Sequence, residues 1–85
     1  MSYQPKAGII ETDLNTEMVL LDPSNQRMFS LNEVGRLIWK GLPTQGLEAT
    51  LTRITAEYGV SEEQARADAL ELVEELVKAG LLQAK

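Results

Sequence analysis

The sequence predicts an α+β domain in which a three-stranded antiparallel sheet is followed by three helices. Two observations predict this order. In the first third of the chain, short apolar runs alternate with turn residues, as in a series of strands. From Ser30 onward the apolar residues recur every three or four positions, which is the period of a helix that buries one face. At 85 residues, of which 44% are hydrophobic, the chain can form one modest core.

The predicted sheet is a meander whose third strand lies at an edge. The segment "EMVLLD" is a continuous apolar run, which indicates a strand that is buried on both faces or central in the sheet. Asn15 suits the first turn because asparagine tolerates left-handed backbone angles, and "DPSNQ" has the composition of the second turn. Residues 1–7 show no periodicity and are predicted to form a flexible arm, so the domain is placed at residues 8–83. The strands are predicted within residues 8–13, 17–22 and 27–30.

Three helices complete the predicted domain. "SLNE" and "SEEQ" each place a serine three residues before Glu or Gln, which is the pattern of a capping box at a helix start. Gly35 falls in the apolar stripe of the first helix, which indicates that another backbone packs close there, and Trp39 is predicted to be a core anchor. A small sheet packed on three helices is the layout of a winged helix-turn-helix. The helices are predicted at about Leu31–Leu42, Leu47–Tyr58 and from "SEEQ" to about Ala79.

Composition excludes several classes of function. The chain has no Cys and no His, which removes thiol nucleophiles, imidazole bases and the usual zinc ligands, so we expect no catalytic residue, no metal and no cofactor. The net charge is −5, and the third helix carries six acidic and two basic residues between Ser61 and Lys78, which disfavours nucleic acid as a partner. No apolar run is long enough to span a membrane, and "MSYQPKAG" lacks a signal-peptide core. We expect a cytoplasmic protein that does not bind membranes.

Two features are left open by the residues alone. On the third helix, Leu70, Val73 and Val77 form a second apolar stripe with Arg66 beside it. This stripe is either core or the base of a half-exposed groove, with Arg66 at its rim. The third strand, Arg27–Ser30, is either an ordinary short edge or an edge to which a partner peptide adds a strand.

The order of these motifs resembles the PqqD-like proteins, which are the recognition elements of ribosomally made, post-translationally modified peptides. The resemblance rests on "VLLD", "FSLNEVGRLIW" and "LTRITAEYGVSEEQARADALELVEELVKAGLL", and it covers residues 8–83. It implies a winged helix-turn-helix without catalysis that binds the leader of a precursor peptide as an antiparallel strand on the third strand and against the third helix. The peptide-binding residues that it implies are Arg27, Met28, Phe29, Ser30, Arg66, Leu70, Val73 and Val77.

Within that family, the segment "LLDPSNQRMFSLNEVGRLIW", which has a tryptophan in the first helix, is most similar to the free-standing elements of lasso-peptide clusters. That likeness implies a transglutaminase-like cysteine protease, which removes the leader, as the partner enzyme, together with a separate ATP-dependent cyclase. The alternative is a chaperone of the pyrroloquinoline quinone type that presents its peptide to a radical SAM enzyme. A glycine-rich "LCDG"-like helix end is associated with that branch, and this chain has "LPTQG" instead.

Overall fold

The computed structural model describes residues 3–84 and has the predicted α+β architecture, with one further short strand near each end. The predicted three-stranded sheet followed by three helices is confirmed. Met1 and Ser2, which belong to the predicted flexible arm, lie outside the described residues. The elements are β1 (Tyr3–Pro5), β2 (Ile10–Asp13), β3 (Met18–Asp22), β4 (Arg27–Leu31), α1 (Glu33–Thr44), α2 (Leu47–Tyr58), α3 (Glu62–Lys78) and β5 (Leu82–Ala84).

The sheet has the order β2-β3-β4, and both pairs of strands are antiparallel. β3 is therefore the central strand, and its residues alternate between two faces because successive side chains of a strand point to opposite sides. Met18, Leu20 and Asp22 are buried on the inner face, whereas Val19 and Leu21 are half-buried on the outer face. Of the two interpretations of "EMVLLD", the central position in the sheet is the correct one.

The N-terminal segment differs from the predicted flexible arm, because β1 pairs antiparallel with β5 in a separate two-stranded sheet. β5 is held in place by the turn that ends α3. Gly80 there has φ +76, and the Leu81 amide donates to the Leu76 carbonyl at 3.0 Å. Leu81 and Leu82 are then buried in the core. Strands of three residues carry too little periodicity to be visible in the sequence.

The predicted capping box at the first helix is wrong by two residues. Ser30 and Leu31 still belong to β4, and the N-cap of α1 is Asn32, whose Oδ1 accepts from the Gly35 amide at 2.8 Å. Asparagine is as good an N-cap as serine, and Asn32 caps α1 without a capping box, because the residue three positions later is Gly35 rather than Glu or Gln. At α3 the predicted N-cap is confirmed, since the Ser61 hydroxyl accepts from the Gln64 amide at 3.1 Å. The reciprocal half of the capping box is not formed, because the Gln64 side chain donates to Asp68 Oδ1 at 2.9 Å instead.

Trp39 is 2% exposed and lies in the core, as predicted. The close approach between helices, however, occurs at Gly41 rather than at Gly35. A Cβ atom on Gly41 would lie 2.2 Å from Thr50 Oγ1 of α2, whereas one on Gly35 would contact only the neighbouring Leu31 and Asn32, both at 3.3 Å. The packing of α1 on α2 therefore depends on a residue without a side chain at position 41.

Replacing Gly41 with alanine is expected to destabilise the protein by about 1–3 kcal/mol, because the added methyl group overlaps Thr50. In the Thr50→Ala background the same substitution should cost less, since the two atoms of Thr50 nearest to the new methyl group are gone. Chemical denaturation of the wild type, the two single variants and the double variant measures this coupling. Equal costs of Gly41→Ala in both backgrounds would contradict the assigned contact.

A buried carboxylate joins the N-terminal segment to the sheet. Asp22 is 2% exposed, and its oxygens accept from Ser24 Oγ at 2.6 Å, from the Ser24 amide at 3.0 Å and from Lys6 Nζ at 2.9 Å. The hydrogen bond from the Ser24 hydroxyl and the contact with Lys6 lower the pKa of Asp22 below its ordinary value of 3.8. The ionised form of Asp22 is therefore the form that stabilises the fold.

Because the native pKa of Asp22 is lowered, its contribution to stability is present above the unfolded pKa and is lost as the pH falls through the native pKa. The Asp22→Asn variant should be less stable than the wild type at pH 7, and this difference should shrink as the pH falls below about 4. Urea unfolding of both proteins at pH 7 and pH 3 tests the sign. A stability difference that grows towards acid would contradict it.

Candidate functional site

The outer edge of β4 has no neighbouring strand among residues 3–84, since β3 is its only partner. Arg27, Met28 and Ser30 are exposed along this strand, Phe29 is half-buried and Leu31 is buried. The free edge offers backbone amides and carbonyls to another extended chain. The edge strand predicted from the sequence is therefore open in the structure.

Beside this edge runs a groove between β4 and α3. Two adjoining hollows of about 440 Å³ and 490 Å³ lie there, and Phe29 and Glu75 line both of them. The N-terminal part of α1 lines the first hollow. We call the two hollows together the β4–α3 groove; it is lined by Arg27, Phe29, Ser30, Leu31, Asn32, Val34, Gly35, Ile38, Asp68, Leu72, Glu75, Lys78 and Ala79.

The β4–α3 groove combines apolar surface with charges of both signs. Phe29 and Leu72 are both half-buried and line the same hollow, one from the strand and the other from the helix. Within residues 3–84 neither the Glu75 carboxylate nor the Arg27 guanidinium has an ion-pair partner. The groove can therefore accept apolar side chains and pair with charged ones.

The structure does not bring all of the sequence-predicted site residues together. From β4, Arg27, Phe29 and Ser30 line the groove, whereas Met28 projects from the other face of the sheet. Arg66 is turned towards α2, where its two terminal nitrogens each contact the Glu48 carboxylate at 2.8 Å. The geometry thus separates Arg66 from the groove.

The second apolar stripe of α3 is likewise not one surface. Val73 is 5% exposed and belongs to the core, whereas Leu70 and Val77 are exposed at 46% and 43%. Leu70 lies about 160° around the helix from Leu72, because each residue advances the helix by about 100°. Leu70 and Val77 therefore lie away from the flank of α3 that borders β4.

Sequence reasoning missed Leu72, Asp68 and Glu75, which form the helical wall of the groove. None of these three is among the peptide-binding residues that the resemblance implies. The helical period shows which residues share a flank, but it does not show which flank lies beside the sheet. The strand register and the crossing of the helices decide that.

Ion pairs that join the secondary-structure elements account for several of the perturbed ionisable groups. Arg36 and Lys40 of α1 hold the pKa of Asp13 well below its usual range, and the hydrogen bonds from Arg66 lower the pKa of Glu48. Each of these ion pairs favours the ionised form of its carboxyl group and the protonated form of its basic group. None of them therefore supplies a protonated carboxyl group or a deprotonated Lys or Arg for proton transfer near pH 7. Among residues 3–84 there is no group of three or more acidic residues arranged to hold a metal ion. No helix in this part of the chain is long and apolar enough to cross a membrane.

A family model described as coenzyme PQQ synthesis protein D (PqqD) matches residues 17–82. The chain belongs to the PqqD family. The match includes all of β3, β4 and the three helices, and so both walls of the groove. No curated protein has a significant match to this PqqD-family sequence.

Two solved structures are similar to this PqqD-family protein over nearly its whole length. One is TbiB1 in complex with the TbiA(beta) leader peptide, which is 26% identical with a TM-score of 0.84 and covers 100% of this chain and 98% of that one. The other is lasso peptide synthetase B1 complexed with the leader peptide, which is 26% identical with a TM-score of 0.87 and covers 99% and 100%. These likenesses confirm the winged helix-turn-helix fold and the resemblance found in the sequence.

Glutamate substitutions at Val73 and Val77 should separate core from surface. Val73→Glu places a carboxylate without a partner in the core, and we expect it to lower the free energy of unfolding by several kcal/mol. That is a large part of the free energy of unfolding of a typical domain, which is about 5–15 kcal/mol. The matched Val77→Glu variant lies on the exposed flank and should keep its melting temperature within a few degrees. Thermal melts followed by circular dichroism measure both. A stable Val73→Glu protein would remove Val73 from the core.

Proposed function

We propose that this protein binds the leader segment of a ribosomally synthesised precursor peptide as an added antiparallel strand on β4. The observation that carries the proposal is that the open edge of β4 and the β4–α3 groove lie along the same strand. A peptide that pairs with the edge gains backbone hydrogen bonds, and its alternate side chains enter the groove. In support, the two similar solved structures are both complexes with leader peptides.

The two walls of the groove have matching lengths. The five residues of β4 extend over roughly 16 Å at about 3.3 Å per residue. From Asp68 to its C-cap Ala79, α3 rises by a similar distance at about 1.5 Å per residue. This length suits a recognition segment of about five residues. Peptide side chains opposite Arg27, Phe29 and Leu31 would point into the groove, because paired residues share a face.

Charge and shape assign preferences to these positions. The residue opposite Phe29 meets the apolar surface that Phe29 and Leu72 provide, so an apolar side chain is favoured there. The residue opposite Arg27 meets a guanidinium without an ion-pair partner in the described chain, so an acidic side chain is favoured. In this proposal Leu72, Asp68 and Glu75 form the helical side of the site. They replace the α3 residues that the resemblance implies, which are Arg66, Leu70, Val73 and Val77.

We further propose that the bound leader is delivered to a lasso-peptide leader protease of the transglutaminase-like cysteine type, with the ATP-dependent cyclase as a second partner enzyme. The protein itself then needs no catalytic group. The comparison that supports this pathway is the likeness, over nearly the full chain, to a lasso peptide synthetase B1. Recognition of a newly made precursor would take place in the cytoplasm, where ribosomes release it.

The second candidate is a chaperone of the PqqD type that presents its peptide to a radical SAM enzyme in cofactor biosynthesis. The description of the family model, coenzyme PQQ synthesis protein D, favours it. Both candidates use the same groove and differ in the enzyme that receives the peptide. Accelerated leader removal when this protein is added to the protease supports the first candidate and not the second.

Peptide binding is tested with synthetic peptides that tile the leader segment of a candidate precursor, which is sought among the genes that neighbour this one. One of them should bind and slow the hydrogen exchange of those amides of residues 27–31 that point away from β3. The amides of the β2 edge, which also has no neighbouring strand among residues 3–84, should exchange as before. Protection of β2 instead of β4 would contradict the proposed site.

The precursor should also keep its mass when it is incubated with this protein alone.

Two leucines of α3 provide a matched pair of variants. Leu72→Arg puts a charged group at the groove and should weaken binding of that peptide by about ten- to a hundredfold. Leu70→Arg makes the same change on the far flank and should leave the affinity within about twofold. Thermal melts establish that both variants are folded. A larger loss of peptide affinity with Leu70→Arg than with Leu72→Arg would place the binding site on the flank of α3 that contains Leu70, which is the flank that the resemblance implies.

A further inference from the structure

The outer face of the sheet carries a row of apolar side chains that the groove does not use. Ile10 of β2 pairs with Leu21 of β3, and Leu21 pairs with Met28 of β4. Leu21 points outward because its neighbours Leu20 and Asp22 are buried on the inner face. Paired residues share a face, so the three side chains form one row across the sheet, which we call the outer row.

The outer row is exposed, above all at the edge of β4. Met28 is 70% exposed and Ile10 is 51% exposed, and both are among the six large hydrophobic residues that the described chain leaves in solvent. Leu21 between them is half-buried. The row therefore ends in its most exposed apolar side chain at the unpaired edge, which is also the edge of the proposed peptide site.

We propose that the outer row is a second binding subsite, which receives an apolar or aromatic side chain of the bound peptide on the face opposite the groove. This inference rests on the proposed function. Any strand that pairs with β4 places one residue directly opposite Met28, with its Cβ about 5 Å away, and that residue points outward with Met28. The peptide is thus held by both of its faces.

The direction of β4 determines where in the peptide sequence the residue opposite Met28 lies. β4 runs from Arg27 to Leu31, so an antiparallel peptide meets Leu31 first and Arg27 last. The residue opposite Met28 then follows directly after the residue opposite Phe29. The recognition segment should contain two adjacent apolar residues, the first in the groove and the second on the outer row, followed by the acidic residue favoured opposite Arg27.

The probe is a phage-displayed library of random 12-residue peptides that is selected on the wild type, on Met28→Lys and on Val77→Lys. Val77→Lys is the matched control, because it makes the same change at an exposed valine of α3 away from the groove. Peptides selected on the wild type should carry the adjacent apolar pair. Selection on Met28→Lys should replace the second apolar residue with Asp or Glu, and Val77→Lys should return the wild-type pattern.

Titration then measures the subsite with single peptides. A peptide selected on the wild type should bind Met28→Lys about three- to tenfold more weakly, Met28→Leu about as well as the wild type, and Val77→Lys without loss. Replacing the second apolar residue of the peptide with Glu should restore most of the affinity for Met28→Lys. Thermal melts check that the variants are folded, as expected for changes at a surface position.

Three results would overturn the subsite. The selected peptides could lack any preference at the second position, Met28→Lys could weaken all peptides alike whatever residue stands there, or it could change only the self-association of the protein in sedimentation experiments. In each case peptides that protect the β4 amides from exchange would leave the proposed function standing. If no selected peptide protects β4, the proposed function itself fails.

Discussion

The alternation of inward-pointing and outward-pointing side chains along β3 is the constraint on which the rest of the structure depends. Met18, Leu20 and Asp22 point inward, and the pairing of β3 with β2 and β4 passes this orientation to both neighbours. Phe29 therefore borders the groove and Met28 lies on the outer face. A slip of one residue in the pairing would exchange those two positions, turning methionine into the groove and phenylalanine towards solvent. The inward side chains of β3 prevent this slip because they fill the core.

The sequence was sufficient for the elements whose pattern is local. Periodicity located the three strands and three helices. Asn15 has the backbone angle expected of a turn, and Ser61 accepts the hydrogen bond expected of an N-cap. The errors arose where the deciding contact is remote in the chain. β1 is recognisable only from its pairing with β5, and the flank of α3 that borders the groove is set by its distance from β4. Asn32 and Ser30 were equally good caps, and the extent of β4 decided between them.

Electrostatics in this acidic protein serve mainly to hold the elements together. In the described chain, most of the basic side chains form ion pairs, and several of these join separate elements, such as Arg36 and Lys40 with Asp13 and Arg66 with Glu48. Arg27 is the basic residue without such a partner among residues 3–84, and it lies at one end of the groove. In a protein whose net charge is −5, this guanidinium distinguishes one end of the β4–α3 groove from the other. A bound chain can therefore be oriented by charge as well as by strand direction.

The pairing of Tyr3 with Ala84 in the β1–β5 ribbon brings the entry and the exit of the domain side by side. Domains whose two ends lie close together tolerate circular permutation and insertion into the loops of other proteins, because the host backbone has to open only slightly. A recognition unit built in this way is portable. It can be joined to an enzyme through either end, or placed within one, while β4 and α3 keep their relative positions.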